Sequence, residues 1–197
     1  NALDELANGF ANEIVIDIDN TSQTCTVTDN GRGLPSHDIT LPNGTICDSV
    51  IVACTKLFSG AKFNLNEYET SIGLHGVGLV VLNALSNYID ISIRDKLNKN
   101  IIYKYVFKDA IFIERLVIDD IDSWATRVSF QINPKYFKSS VFDINSITTR
   151  LYLVAAKYSN SNILLNGMKI RNLPMVDFCK TILGIENPET KLDSISY

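Results

Sequence analysis

The chain has 197 residues, 46% of them hydrophobic and 20% charged, a globular composition that excludes a disordered one. Its formal net charge of −4 argues against a main nucleic-acid surface, because phosphate binding needs clustered Lys and Arg. No run approaches the roughly 18 apolar residues of a membrane span. Four scattered cysteines and two histidines show no zinc spacing and suit a reducing, cytoplasmic compartment.

The sequence opens in a helical pattern at Asn1-Ala2-Leu3-Asp4-Glu5-Leu6, without a methionine, and reads as a fragment that enters a helix part-way and stops near Gly9. Residues 13–19 alternate strictly, with Ile14, Ile16 and Ile18 on one face, and predict a strand. A turn at 20–22 leads to a partner strand over 24–28, then to the loop Asp29-Asn30-Gly31-Arg32-Gly33-Leu34-Pro35. A second helix is predicted over about 47–57. Residues 59–72 are polar, and a loop of that length inside a compact domain is usually functional or mobile.

Gly73, Gly76 and Gly78 then precede an apolar helical run in which Val77, Val80, Val81, Ala84 and Leu85 share a face. Leu79 and Leu82 lie on the other side, so this helix is expected to be buried nearly all round. Strands follow at about 88–94, 101–108, 110–118 and 125–132. Asp143 is suited to cap a helix over 144–158 whose stripe is Ile144, Ile147, Leu151, Val154 and Ala155. Asn166-Gly167 between two apolar runs predicts a type I′ hairpin. A short helix is expected at about 174–183, ahead of a polar tail. Strands grouped beside helices, without regular βαβ alternation, indicate an α+β two-layer sandwich.

Three stretches have chemistry to offer. A glycine-rich turn feeding a helix presents free N–H groups to an anion, and glycines let that backbone approach a phosphate; the same residues fit a flexible loop before a core helix. Asp29 at a strand end can accept from an exocyclic amine, while Gly31 and Gly33 let a flat ring lie against the backbone; an ordinary Asp-Asn-Gly turn is the alternative. Lys62 can reach a terminal phosphate or stay solvated, His75 can donate to a phosphate or face solvent, and Asn1 offers a neutral oxygen of the type Mg2+ accepts.

In this order the motifs resemble the GHKL ATPase superfamily and, within it, the gyrase-B-like ATPase domain of type II DNA topoisomerases. Asn1 and Glu5 resemble that family's Asn-x-x-x-Glu, and Asp29–Pro35 resembles its Asp-x-Gly-Arg-Gly-(Ile/Leu)-Pro. Residues 58–78 resemble its ATP lid, Asn83-Ala84-Leu85-Ser86 matches closely, and 125–130 resembles the strand bearing an adenine-side threonine. The likeness covers about residues 1–183, leaving 184–197 as a tail. It implies a Bergerat ATP-binding fold: a mixed sheet of about eight strands with helices on one face.

The resemblance also assigns roles. Asp29 would meet adenine N6 with Thr126 in the same network, Glu5 and Arg32 would pair beside the base, and Gly33, Leu34 and Pro35 would belong to the ATP site. Lys62 and the backbone of His75, Gly76, Val77 and Gly78 would hold the phosphates, with Leu74 also in the ATP site and Asn1 on Mg2+. The implied ligand is ATP, and the implied partners are a second copy of the domain and a DNA-cleavage subunit, with DNA reached through the parent enzyme and no membrane. The family's catalytic glutamate would lie one helical turn before Asn1, so residues 1–197 alone are expected to show no turnover. Gly60-Ala61 and Ile72-Gly73 stand where bacterial relatives often carry Gly-Gly. A mismatch-repair or Hsp90-type ATPase, or a nucleotide-binding module without turnover, are the alternatives.

Overall fold

A computed structural model of the chain describes residues 1–41, 43–57, 77–137, 139, 141–172, 174 and 176. The expected elements appear in order: α1 (Ala2–Ala7), β1 (Glu13–Asp19), β2 (Thr24–Asp29), β3 (Asp38–Thr40), β4 (Ile46–Asp48), α2 (Ser49–Thr55) and α3 (Gly78–Ala84). After them come β5 (Ser86–Arg94), β6 (Ile101–Lys108), β7 (Ile111–Asp119), β8 (Thr126–Ile132), α4 (Ile144–Lys157), β9 (Asn162–Leu165) and β10 (Met168–Lys169). The β3–β4 hairpin is an addition to the sequence reading. The short helix expected at 174–183 and the tail lie largely outside the described residues.

Eight strands form one sheet in the order β10-β9-β1-β2-β8-β5-β6-β7. The β1–β9 pair is parallel and the other pairs are antiparallel, so the sheet is mixed, as expected. Register explains the two layers. Leu165, Ile16, Val27, Val128, Ile91 and Tyr105 stand opposite one another across six strands and share a face. The helices pack on that face in two clusters. Leu6 of α1 and the whole predicted stripe of α4 cover Ile14, Ile16, Ile163 and Leu165. Val50 and Cys54 of α2, with Leu79 and Leu82 of α3, cover Ile89, Ile91, Ile93 and Phe107. The opposite face is polar, with Asp17, Thr26, Ser129 and Asp90 in one row.

Local signals act as read. Asp143 accepts from the Asn145 and Ser146 N–H groups at 3.1 and 3.2 Å and caps α4. Asn166 and Gly167 both take positive φ, 48° and 74°, as a type I′ turn requires. Gly9, at φ 74°, ends α1, and the Phe10 N–H returns to the Glu5 carbonyl at 2.9 Å.

One expectation fails. The helix after the glycine turn is not buried all round: Val81 is 45% exposed, and Gly78 and Ala84 are exposed too. Its inward side carries Leu79, Leu82 and the polar Asn83, which is 1% exposed. The apolar side chains of β5 lie beneath that side, and their position decides which stripe of a nearly uniform apolar helix turns in.

Candidate functional site

The site forms where β2 and β8 meet. Asp29 ends β2 and Thr126 begins β8; they stand opposite each other, and Ile93 of β5 stands opposite Thr126. Both are buried although polar, Asp29 at 5% and Thr126 at 4% exposure. The Ala125 N–H donates to the Asp29 carbonyl at 2.8 Å, which closes the ladder beside the carboxylate. Burial pushes the Asp29 carboxyl above its ordinary range; the Gly31 N–H, donating to Oδ1 at 2.9 Å, opposes that, and the negative Glu5 nearby adds to it. A buried carboxylate with one oxygen already engaged is poised to accept a hydrogen bond from a ligand.

α1 supplies the second wall. The Glu5 carboxylate accepts from the Arg32 N–H at 2.8 Å, from Arg32 Nε at 3.1 Å and from Nη2 at 2.8 Å. Burial alone would raise this carboxyl, but the Arg32 hydrogen bonds and charge outweigh it and hold Glu5 below the usual range. Phe10 lies under the same guanidinium, 3.6 Å from ring centroid to Cζ, and fixes its plane.

The two loop glycines are needed for different reasons. A Cβ on Gly31 would sit 2.7 Å from Glu5 Oε2 and 2.8 Å from Glu5 Cβ and Cγ, so the carboxylate occupies the space of a side chain. Gly33 has φ 80°, where a side chain is strained, and faces Ile93 and the Ala125 carbonyl. Leu34 packs into the cluster under α2, and the Pro35 carbonyl accepts from Ser49 Oγ at 2.8 Å. The loop is thus tied to α2 as well as to α1.

Arg94 is a member that the sequence reading missed. It ends β5 and is 6% exposed; Nε donates to the Trp124 carbonyl at 2.7 Å and Nη1 to the Asp120 carbonyl at 2.9 Å, and Nη1 also reaches the Lys99 carbonyl. Its own N–H donates to the Ala125 carbonyl at 3.0 Å. One guanidinium therefore pins the 95–100 turn and the 120–125 connection beside Asp29. With Asn30, Gly31, Arg32, Lys99 and Trp124 it lines a cavity of about 280 Å³ at the edge of the site. The available signal was a basic residue closing the apolar alternation Ile89, Ile91, Ile93.

Asn1 is exposed and precedes α1; its carbonyl accepts from the Glu5 N–H at 3.1 Å. Val77 is half-buried and Gly78 exposed at the entry to α3. Lys62, Leu74, His75 and Gly76 lie outside the described residues. The structure therefore brings together Glu5, Asp29, Arg32, Gly33 and Thr126, and shows no group of three or more His, Cys, Asp or Glu side chains for a metal among the described residues.

The profile of the histidine kinase-, DNA gyrase B- and HSP90-like ATPases matches residues 1–107, from α1 through most of β6. The chain belongs to that ATPase family. The matched span holds Glu5, the Asp29–Pro35 loop, Val77 and Gly78, and stops before Thr126. Among individual proteins, the chain is 37% identical to the B subunit of DNA topoisomerase 4 from Haemophilus influenzae, over 90% of this chain and 26% of that one. It is 37% identical to the corresponding topoisomerase 4 protein of Mycoplasma genitalium, over 77% of this chain and 23% of that one. It is 33% identical to the B subunit of DNA gyrase from Rickettsia bellii, over the whole of this chain and 24% of that one. The chain spans about a quarter of the length of these relatives. For a member of this ATPase family, the mixed eight-stranded sheet with helices on one face is the expected scaffold.

Proposed function

We propose that this chain binds ATP at the Asp29–Thr126 pair as the ATPase domain of a type II DNA topoisomerase. The observation that carries the reading is a carboxylate and a threonine, both buried and polar, facing each other beside two side-chain-free loop positions. Asp29 accepts from the adenine amine, Thr126 completes the hydrogen-bond pattern, and the Arg32 plane, held by Glu5 and Phe10, borders the base. A Cβ on Gly78 would meet none of the described residues, so packing among them does not demand a glycine there. Close approach of a phosphate to that backbone is the physical reason that fits. Lys62 and residues 74–78 complete the phosphate contacts.

Asn1 supplies one neutral oxygen toward Mg2+, which suits an ion that takes one or two protein ligands and fills its remaining positions from phosphates and water. When bound, Mg2+ would neutralise phosphate charge. Glu5 is committed to Arg32 and supports the base rather than the attacking water. The ATP-binding unit runs over residues 1–183, acts inside the cell, and pairs with a second copy and a DNA-cleaving subunit. The topoisomerase 4 and gyrase relatives support this parent over a mismatch-repair or chaperone ATPase.

Calorimetry with a non-hydrolysable ATP analogue tests the pocket. Asp29→Asn is expected to weaken binding by about 1–3 kcal/mol, the value of a buried bond to an ionised acceptor. Equal affinity in both proteins removes Asp29 from the site. The parent activity is read from supercoiled DNA incubated with the full-length gene product and its cleavage partner. An unchanged linking number in the presence of ATP refutes the topoisomerase assignment, and binding without turnover marks a module that only senses nucleotide.

A further inference from the structure

Asn83 sits on the inward side of α3 and is almost completely buried. Its Nδ2 donates to the Cys54 carbonyl in the last turn of α2, at 3.0 Å, and to the Ala110 carbonyl in the β6–β7 turn, at 3.3 Å. Its Oδ1 has no hydrogen-bond partner among the described residues. A buried acceptor left unpaired is unfavourable, and an apolar side chain such as leucine would not carry that cost. What the carboxamide supplies and a leucine does not is a pair of directed bonds to two other segments. Cys54 O belongs to the carbonyls that a helix end leaves without an internal partner. Ala110 is a non-glycine residue at φ 64°, so its carbonyl is held at a fixed and unusual place.

The other end of α2 is anchored independently. Asp48 caps it by accepting from the Val50 N–H at 2.8 Å, and also accepts from Tyr105 OH on β6 at 2.8 Å. With its N-terminal end fixed to β6, α2 is a firm reference, and Asn83 refers α3 to it and to the β6–β7 turn together. Val77 and Gly78 lie five to six residues earlier on the same short element, so their place follows the setting of α3. Asp29 and Thr126 belong to β2 and β8, which pair with each other, and neither Asn83 bond reaches those strands.

We propose that Asn83 is a positioning residue for the phosphate end of the nucleotide site, setting where the Val77–Gly78 backbone stands relative to the Asp29–Thr126 pair. This rests on the ATP-binding reading above. Asn83 itself touches no nucleotide atom. Its loss moves one end of the site and leaves the other in place, whereas a purely structural role would weaken both ends together.

The test compares Mg·ATP analogue and adenosine binding by calorimetry on the full-length gene product and on its Asn83→Ala variant, which removes both N–H donors without adding a charge that would itself repel phosphate. The expected result is analogue affinity lower by about tenfold with adenosine affinity unchanged. Equal loss for both ligands, or a lower melting temperature with both affinities intact, overturns the proposal. If Asn83→Ala does not fold, Asn83→Ser, which retains one donor, is measured against the same criterion. Failure of the unsubstituted protein to bind either ligand overturns the ATP-binding reading itself, and this proposal with it.

Discussion

Asp29 carries two opposed demands. Its carboxylate is raised above the ordinary range mainly by burial, so its charge is unfavourable in the ligand-free fold. A group whose folded pKa is raised contributes stability below its unfolded value, and that contribution is lost as pH rises through the folded value. The window therefore opens at the ordinary aspartate value and extends upward. At neutral pH the charge is a net cost, so Asp29→Asn is expected to raise the melting temperature of the ligand-free chain while weakening ATP binding. Scanning calorimetry checks this, and a lower melting temperature at neutral pH would show that the charge is compensated within the fold. Glu5 has the opposite sign: held low by Arg32, it contributes stability above its ordinary value that is lost as pH falls through the folded one. The Asp29 gain should therefore persist at neutral pH, where Glu5 stays charged and paired.

At the scale of elements, the β6–β7 hairpin is joined by Asp109 and Ala110 at φ 46° and 64°. Aspartate tolerates that region and alanine does not, so the turn is strained at its second position. Ala110→Gly relieves the strain without touching the carbonyl that Asn83 uses. It is expected to stabilise the fold by about 0.5–1 kcal/mol, less the added freedom of the unfolded chain, as a higher urea midpoint. An unchanged or lower midpoint would show that the turn is relaxed as it stands. This hairpin also marks where sequence reading reaches its limit. Strands β1, β6 and β8, the Asp143 cap and the Asn166-Gly167 turn were legible because each rests on local pattern or turn chemistry. The β3–β4 hairpin has three residues per strand, too few to show alternation. The inward side of α3 depends on β5, and Arg94 depends on carbonyls from two connections up to 30 residues away in sequence, which no local pattern encodes. The Asp29 loop was legible in part: its glycines signal a backbone requirement, but the reason for Gly31 is a carboxylate from a helix 26 residues earlier.

The whole molecule is acidic, and its second sheet face collects Asp17, Asp90, Asp120 and Asp122 around a trough of about 740 Å³, with Lys104 and Arg127 as the cations in its lining. Such a surface repels a phosphate backbone, so the isolated chain is expected to leave duplex DNA unshifted in a mobility assay at physiological salt. Retardation that disappears with added salt would reveal a basic surface on residues outside those described. The strand order has a consequence in time as well as in space. The β8-β5-β6-β7 half of the sheet is one uninterrupted stretch of chain, whereas β10-β9-β1-β2 joins the first strands made to the last. Asp29 belongs to one half and Thr126 to the other, so the nucleotide pocket straddles the line along which the halves join. A ribosome that has released the chain only as far as residue 100 has made Asp29 but not its opposite number. Occupancy of the pocket is thus a statement that the two halves have found each other, and nucleotide bound there acts as a rivet across that line, resisting the separation of early-made strands from late-made ones.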